Sequence, residues 1–205
     1  MIHPHLMTDK DLVRLYQKGN DSALAELITR HKERIFSTIY YLVRKRELAE
    51  DLFQDTFVKI ITNLKEKKYN EEGKFLPWAV RVAHNLVIDH FRVGANAHMK
   101  MVRETETYNP FNVMPERSKN ALEEIIDHER AVHVRSFVER LPQHQREVVI
   151  LRHYGGLSFK EISLALKINL NTCLGRMHYA IIEMRRMMTG EVEVKEIGKK
   201  KKKKI

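Results

Sequence analysis

The sequence predicts an all-α protein made of two small helical domains joined by a flexible linker, the second containing a helix-turn-helix. Proline and glycine are scarce, with 5 and 8 residues in a chain of 205. Apolar residues recur at helical spacing from Asp11 onward, and no alternating strand pattern persists. The 43% apolar content is enough for hydrophobic cores and argues against a disordered protein.

The helical periodicity fades over residues 95–127, a polar stretch that contains Asn109-Pro110 and Met114-Pro115. Proline disfavours helical geometry in the residue before it, so we expect a linker there. The linker separates an N-terminal domain, residues 1–94, from a C-terminal domain, residues 128–190. A basic tail, residues 191–205, follows.

A long helix is predicted over residues 48–64. Its apolar side is formed by Leu48, Leu52, Phe53, Thr56, Phe57, Ile60, Ile61 and Leu64. The outward side carries Glu50, Asp51, Gln54 and Asp55. An exposed acidic cluster is most often plain solvated surface, and the alternative is a docking patch for a basic partner. Spacing alone does not decide between them.

A second helix is predicted to begin near Pro77, a residue suited to the first helical turn, and to run through Arg92. Its buried side is expected to hold Val82, Ala83, Leu86 and His90. The other side and the nearby aromatic residues give a mixed strip of Tyr69, Trp78, Arg81, Asn85, Ile88, Asp89 and Arg92. This mixture suits stacking against unpaired bases together with contacts to the nucleic-acid backbone.

Residues 155–180 predict two short helices around a tight turn, the layout of a helix-turn-helix. Ser158 and Glu161 have the spacing of a capping box, which sets the start of the first helix. The apolar face of that helix is Ile162, Ala165 and Leu166. Asn169 is a favourable N-cap for the second helix.

The second helix is expected to bury one face and to present the other to DNA. The face toward the core comprises Cys173, Met177, Ala180, Ile181, Met184 and Met188. The opposite face comprises Asn171, Gly175, His178, Tyr179 and Arg186. Arg176 lies on the flank, where a guanidinium reaches a phosphate or binds guanine through two hydrogen bonds. The alternative for such a pair is an ordinary helical hairpin with a solvated polar face.

The net charge of +10 favours a polyanionic partner, although six of these charges are Lys199 to Lys204. Residues 129–190 carry 10 basic and 5 acidic side chains, so the excess concentrates around the helix-turn-helix. The lysine tail either adds nonspecific affinity for nucleic acid or is simply a solvated end.

The sequence also excludes several classes of function. The single cysteine, Cys173, cannot form an intrachain disulfide and is expected to be a small buried hydrophobe in a reducing compartment. No stretch has the length of a membrane helix, so we expect a cytoplasmic protein without direct membrane insertion. His128 and His133 are too far apart around a helix to hold one ion, and no phosphate loop or nucleophile elbow is present. We therefore expect no metal, no cofactor, no small-molecule substrate and no catalysis.

Three segments, taken in order, resemble landmarks of bacterial RNA polymerase sigma factors of the extracytoplasmic-function group, short members of the sigma-70 family. The first, residues 49–57, is similar to the family's acidic helix that binds the polymerase clamp. The second, residues 75–92, resembles the helix that opens and reads the −10 element. The third, residues 141–149 leading into 156–162, resembles the domain that reads the −35 element.

The resemblance implies a non-catalytic subunit that binds core RNA polymerase and brings it to promoter DNA. Polymerase contacts would come from Glu50, Asp51, Gln54 and Asp55. The loop of residues 68–74 corresponds to the segment that captures a flipped promoter base, with Tyr69 and Asn70 as candidates. The mixed strip would read the −10 element. Recognition of the −35 element would use Asn171, Thr172, Gly175, Arg176, His178 and Tyr179. An anti-sigma factor is a further hypothetical partner, because such partners are common in the family.

The chain departs from the family pattern at four positions. Lys167 stands where the family usually has glycine in the turn, so we expect a left-handed or otherwise strained conformation there. Leu174 replaces a commonly basic residue and Cys173 an aliphatic one, so the promoter sequence cannot be copied from relatives. His84 replaces a frequent arginine in the −10 segment.

The main alternative is a stand-alone repressor or activator that uses the helix-turn-helix without binding polymerase. Such a protein would typically bind a palindromic duplex as a dimer. A sigma factor should bind core polymerase tightly and isolated duplex poorly, which distinguishes the two hypotheses.

Overall fold

The computed structural model describes residues 6–69, 73–95 and 133–189, and all its regular elements are helices. The N-terminal domain consists of α1 (Asp9–Gln17), α2 (Asp21–Val43), α3 (Arg46–Lys65) and α4 (Phe75–Ala95). The C-terminal domain consists of α5 (133–140), α6 (Gln143–His153), α7 (Phe159–Ala165) and α8 (Leu170–Thr189). No strand occurs in these three ranges, which confirms the all-α prediction. The predicted linker and the basic tail lie outside the described residues, apart from position 95.

Helix α2 is the centre of the N-terminal domain, since it packs against α1, α3 and α4. The side-chain oxygen of Asn20 caps it by accepting a hydrogen bond from the backbone N–H of Ala23. Its completely buried Ile35 and Ile39 share the core with Ile60 of α3. Burial of such side chains is the main stabilising contribution in a domain of this size.

The predicted faces of α3 are confirmed. The inward residues Leu52, Thr56, Phe57, Ile60 and Leu64 are buried, and Leu48, Phe53 and Ile61 are partly buried. The four outward residues are all exposed. Thr56 fits this core because its hydroxyl donates a hydrogen bond to the Leu52 carbonyl at 2.6 Å.

Helix α4 begins at Phe75, two residues earlier than predicted, and Pro77 lies in its first turn. The predicted buried side is rotated relative to the observed one. The most buried residues are Ala79, Val80, Ala83, His84 and Val87. Of the predicted set only Ala83 is fully buried, whereas Val82, Leu86 and His90 are partly buried. Apolar residues surround most of this helix, so periodicity alone did not fix its orientation.

The C-terminal domain packs α8 across α6 and α7. Ile150, Leu151, Ile162, Cys173 and Ala180 are completely buried. Burial raises the pKa of the Cys173 thiol, in keeping with the small buried hydrophobe that the sequence predicts.

The two domains contact each other directly through α2 with α6 and through α4 with α7. The rings of Tyr41 and Tyr154 stack at 3.9 Å between centroids. Arg44 donates a hydrogen bond to the Glu139 carbonyl at 2.7 Å. Gly155 lies close to α4, since a Cβ there would be 3.3 Å from Val80 Cγ1. The same Cβ would be 2.7 Å from the carbonyl oxygen of Leu151 in α6. The structure is therefore a closed arrangement of the two domains.

Candidate nucleic-acid interface

The helix-turn-helix consists of α7, the turn over residues 166–169 and α8. The predicted capping box is present at its start. The Ser158 backbone N–H donates to Glu161 Oε2 at 2.8 Å, and the Glu161 N–H donates to Ser158 Oγ at 3.3 Å. The side chain of Asn169 accepts a hydrogen bond from the Asn171 N–H at 2.8 Å, which confirms it as the cap of α8.

The turn between these helices holds Lys167 in the left-handed region, with φ of 53°. This confirms the expected conformation at the position where glycine is usual. The backbone N–H of Ile168 then donates to the Ser163 carbonyl at 3.0 Å. The hydrogen bond that closes the turn has an ordinary length. The backbone strain of the turn is therefore the left-handed conformation of Lys167.

Helix α8 presents the predicted DNA-reading residues to solvent. Asn171, Thr172, His178 and Tyr179 are exposed, whereas Gly175 and Arg176 are half-buried. In the predicted inward set, Cys173 and Ala180 are buried, and Met177 and Met184 are packed against the core. The inward prediction was wrong for Ile181 and Met188, which are 43% and 65% exposed. They lie at the edge of the inward face, where α6 and α7 do not cover them.

Two further apolar residues, Leu170 and Leu174, are exposed on the N-terminal half of α8, by 42% and 43%. The sequence prediction assigned them no binding role. Helical spacing gave no signal of this exposure, because Leu170 lies three residues before Cys173 and Leu174 three residues before Met177.

The polar members of the mixed strip on α4 also face solvent. Arg81, Asn85, Asp89 and Arg92 are exposed, and Ile88 is 38% exposed. Asp89 and Arg92 form an exposed ion pair at 3.1 Å. Since such pairs contribute little to stability, Arg92 can exchange its partner for a phosphate at low cost.

His84 does not belong to that exposed strip. Its side chain is 4% exposed, and neither ring nitrogen has a hydrogen-bond partner in the described part of the chain. Burial lowers the pKa of His84, and the nearby Glu147 carboxylate opposes this effect. At this position the imidazole faces the contact between the domains instead of the exposed strip.

The aromatic residues proposed for base capture differ in accessibility. Tyr69 is only 6% exposed, and its ring packs on Trp78 at 4.3 Å and on Phe75 at 6.3 Å between centroids. The prediction of an accessible Tyr69 ring was therefore wrong, because this ring completes the core beside α4. Trp78 is half-buried. Asn70 lies outside the described residues.

The acidic face of α3 is a third exposed surface. Glu50 is paired with Arg46 at 2.8 Å, one helical turn earlier. No ion pair in the described ranges engages Asp51 or Asp55. The face therefore offers two free carboxylates and the Gln54 amide to a partner.

No group of three or more histidine, cysteine, aspartate or glutamate side chains with metal-binding geometry occurs among the described residues. In the same residues, no helix is both long and apolar enough to cross a bilayer.

Comparisons with known proteins match both domains. Residues 27–96 match the family model for sigma-70 region 2, and residues 133–180 match that for sigma-70 region 4. The ECF RNA polymerase sigma factor SigK of Mycobacterium tuberculosis H37Rv is 28% identical over 183 residues, 89% of this chain and 95% of the relative. The sigma factor CarQ of Myxococcus xanthus is 28% identical over 179 residues, 87% of this chain and 96% of the relative.

Two solved structures share the fold. CnrH, solved in complex with the cytosolic domain of CnrY, superposes with a TM-score of 0.63 at 20% identity, covering 89% of this chain and 98% of CnrH. RpoE of Bartonella quintana, solved with the anti-sigma factor NepR, gives a TM-score of 0.59 at 14% identity, covering 81% and 96%. The two regions follow each other along the chain, and the relatives align with most of its length. The matched residues include the helices that carry the acidic face, the mixed strip and the helix-turn-helix. The chain therefore belongs to the sigma-70 family of RNA polymerase sigma factors, in the extracytoplasmic-function group.

Proposed function

We propose that this chain is a non-catalytic initiation factor that binds core RNA polymerase through α3 and reads promoter DNA through α4 and α8. The observation that carries the proposal is the simultaneous exposure of three chemically distinct surfaces in the order that the family uses. These are the acidic face of α3, the mixed polar strip of α4 and the outward face of α8.

Each surface has the chemistry of its proposed partner. Asp51, Gln54 and Asp55 would accept hydrogen bonds and ion pairs from a basic surface of the polymerase clamp. On α4, Arg81, Asn85 and Arg92 would bind the backbone of the −10 element, with Trp78 close to unpaired bases. On α8, Asn171 and Arg176 have side chains suited to base edges in the major groove.

The residue-level test is binding of the full chain to core RNA polymerase. Changing Asp51, Gln54 and Asp55 to alanine should abolish co-elution while leaving the helical circular dichroism unchanged, because all three side chains are exposed. The matched control changes Asp21, Thr29 and Glu33, two carboxylates and one neutral polar residue exposed on α2, and should bind as the unchanged chain does. Binding by the α3 variant would overturn the proposed clamp surface.

Duplex binding separates this role from that of a stand-alone regulator. The isolated chain should bind promoter duplex poorly, and the complex with core polymerase should bind it tightly and open it. Tight binding of a palindromic duplex by the chain alone would instead support the regulator, which no comparison favours.

We also propose an anti-sigma protein as a partner. Support comes from RpoE of B. quintana, which has the same fold and was solved with one. Such a partner should reduce co-elution of this chain with core polymerase.

A further inference from the structure

The exposed leucines of α8 lie on the surface that the proposed function assigns to DNA. Leu174 is 43% exposed, and it does not belong to the buried residues that form the hydrophobic core. It is three residues from Asn171 and four from His178, both exposed, so the three side chains are neighbours on one side of the helix. An apolar side chain therefore lies among the polar groups proposed to contact bases.

The charge around Leu174 favours a polyanion over an apolar protein surface. No acidic residue occurs between Glu161 and Glu183, whereas Lys167 and Arg176 lie within this stretch. The exposed leucine thus has basic neighbours along the chain and no acidic ones, which suits a DNA groove.

In the major groove, the apolar feature available to such a side chain is the C5-methyl group of thymine. The residues that contact base edges in a helix-turn-helix lie in the N-terminal part of the second helix, and Leu174 is the fifth residue of α8. A leucine cannot form hydrogen bonds with a base, so any sequence preference that it provides comes from packing.

We infer that Leu174 is a specificity-determining residue that selects thymine at one position of the −35 element by packing against its methyl group. This inference rests on the proposed function and adds one base preference to it. The packing of one methyl group should change affinity about four-fold.

The test uses holoenzyme assembled from core RNA polymerase and the full chain, with a duplex library randomised over the −35 and −10 regions as the probe. The selected −35 sequence should contain a fixed thymine. Replacing that thymine by deoxyuridine, which removes only the methyl group, should weaken binding about four-fold. In holoenzyme carrying Leu174→Ala, thymine and deoxyuridine should bind equally.

Ile181→Ala is the matched control. Ile181 is equally exposed at 43% and lies on the same side of α8, but it is about 10 Å further along the helix axis from the proposed base contacts. This variant should keep the preference for thymine.

Three results would overturn the inference: a selected −35 sequence without thymine, no effect of deoxyuridine at any −35 thymine, or an unchanged preference in Leu174→Ala. Failure of the chain to assemble with core polymerase would show itself before selection, as absence of co-elution. That result would overturn the proposed function together with this inference.

Discussion

Tyr41 of α2 and Tyr154, the residue that follows α6, stack with 3.9 Å between their ring centroids and 26° between their planes. Both rings are buried, at 7% and 9% exposure. This contact joins the N-terminal domain to the C-terminal domain. Burial raises the pKa of both phenols, so the contact is between neutral rings at physiological pH.

The Tyr41–Tyr154 pair should show a measurable coupling energy. Tyr41→Leu and Tyr154→Leu each keep an apolar side chain but remove the stacking, so a double-mutant cycle isolates the pair. We expect a coupling of about 0.5–1.5 kcal/mol in the free energy of unfolding, measured by urea denaturation. Strictly additive effects would show that the two rings do not interact in solution.

The closed arrangement cannot contact both promoter elements together. The −10 and −35 elements are about 25 base pairs apart, which at 3.4 Å per base pair is about 85 Å. In the structure, however, α7 contacts α4 directly. In the proposed function, the domains must therefore separate before α4 and α8 can contact their two promoter elements together.

Domain separation can be followed by energy transfer between dyes on Thr29→Cys of α2 and Arg185→Cys of α8, both exposed positions. The native Cys173 is buried and should react slowly. Transfer should be high in the free chain and should fall when core polymerase and promoter are added. Tyr154→Ala should lower the transfer in the free chain. Constant transfer in all these states would contradict the required opening.

The left-handed turn at Lys167 should be a point of removable strain. A non-glycine residue there costs about 1–2 kcal/mol, whereas glycine loses about 0.5–1 kcal/mol through unfolded-state entropy. Lys167→Gly should therefore raise the free energy of unfolding by up to about 1.5 kcal/mol. Lys167→Ala removes the same charge but keeps the strain, so it should not stabilise. Equal stability of the two variants would rule out backbone strain as the cause.

The features that the sequence predicted correctly depend on local chemistry. Ser158 and Glu161 form the capping box because both partners are within one helical turn. The faces of α3 followed from spacing because apolar residues occupy one side and Asp51 and Asp55 the other.

The incorrect predictions concern positions that only tertiary packing decides. Tyr69 looks like an accessible loop aromatic until Trp78 and Phe75 pack around it. Met188 follows the apolar spacing of α8, but no helix in the described part of the chain covers it. Likewise, the contact between Tyr41 and Tyr154 joins residues far apart in sequence, and no local pattern indicates it.

His84 should make the stability of the protein decrease on acidification. Burial, partly opposed by Glu147, holds the folded-state pKa of His84 below its ordinary value of 6.5. The unfolded chain therefore binds a proton at a higher pH than the folded chain does. The contribution of His84 to the free energy of unfolding is fully present above about pH 6.5. It is lost as the pH falls from there toward the folded-state pKa.

His84→Met removes this titration while keeping an apolar side chain of similar size, so we expect a smaller loss of unfolding free energy between pH 7 and pH 5 than in the unchanged protein. His31 also has a lowered pKa because of burial, opposed by Asp9, so part of the pH dependence should persist. Glu147→Gln should have the opposite effect to His84→Met, because it removes the charge that favours protonated His84. Urea denaturation at several pH values gives the free energy of unfolding of the unchanged protein, of His84→Met and of Glu147→Gln. If His84→Met and the unchanged chain lost stability in parallel, the buried imidazole would not be the titrating group.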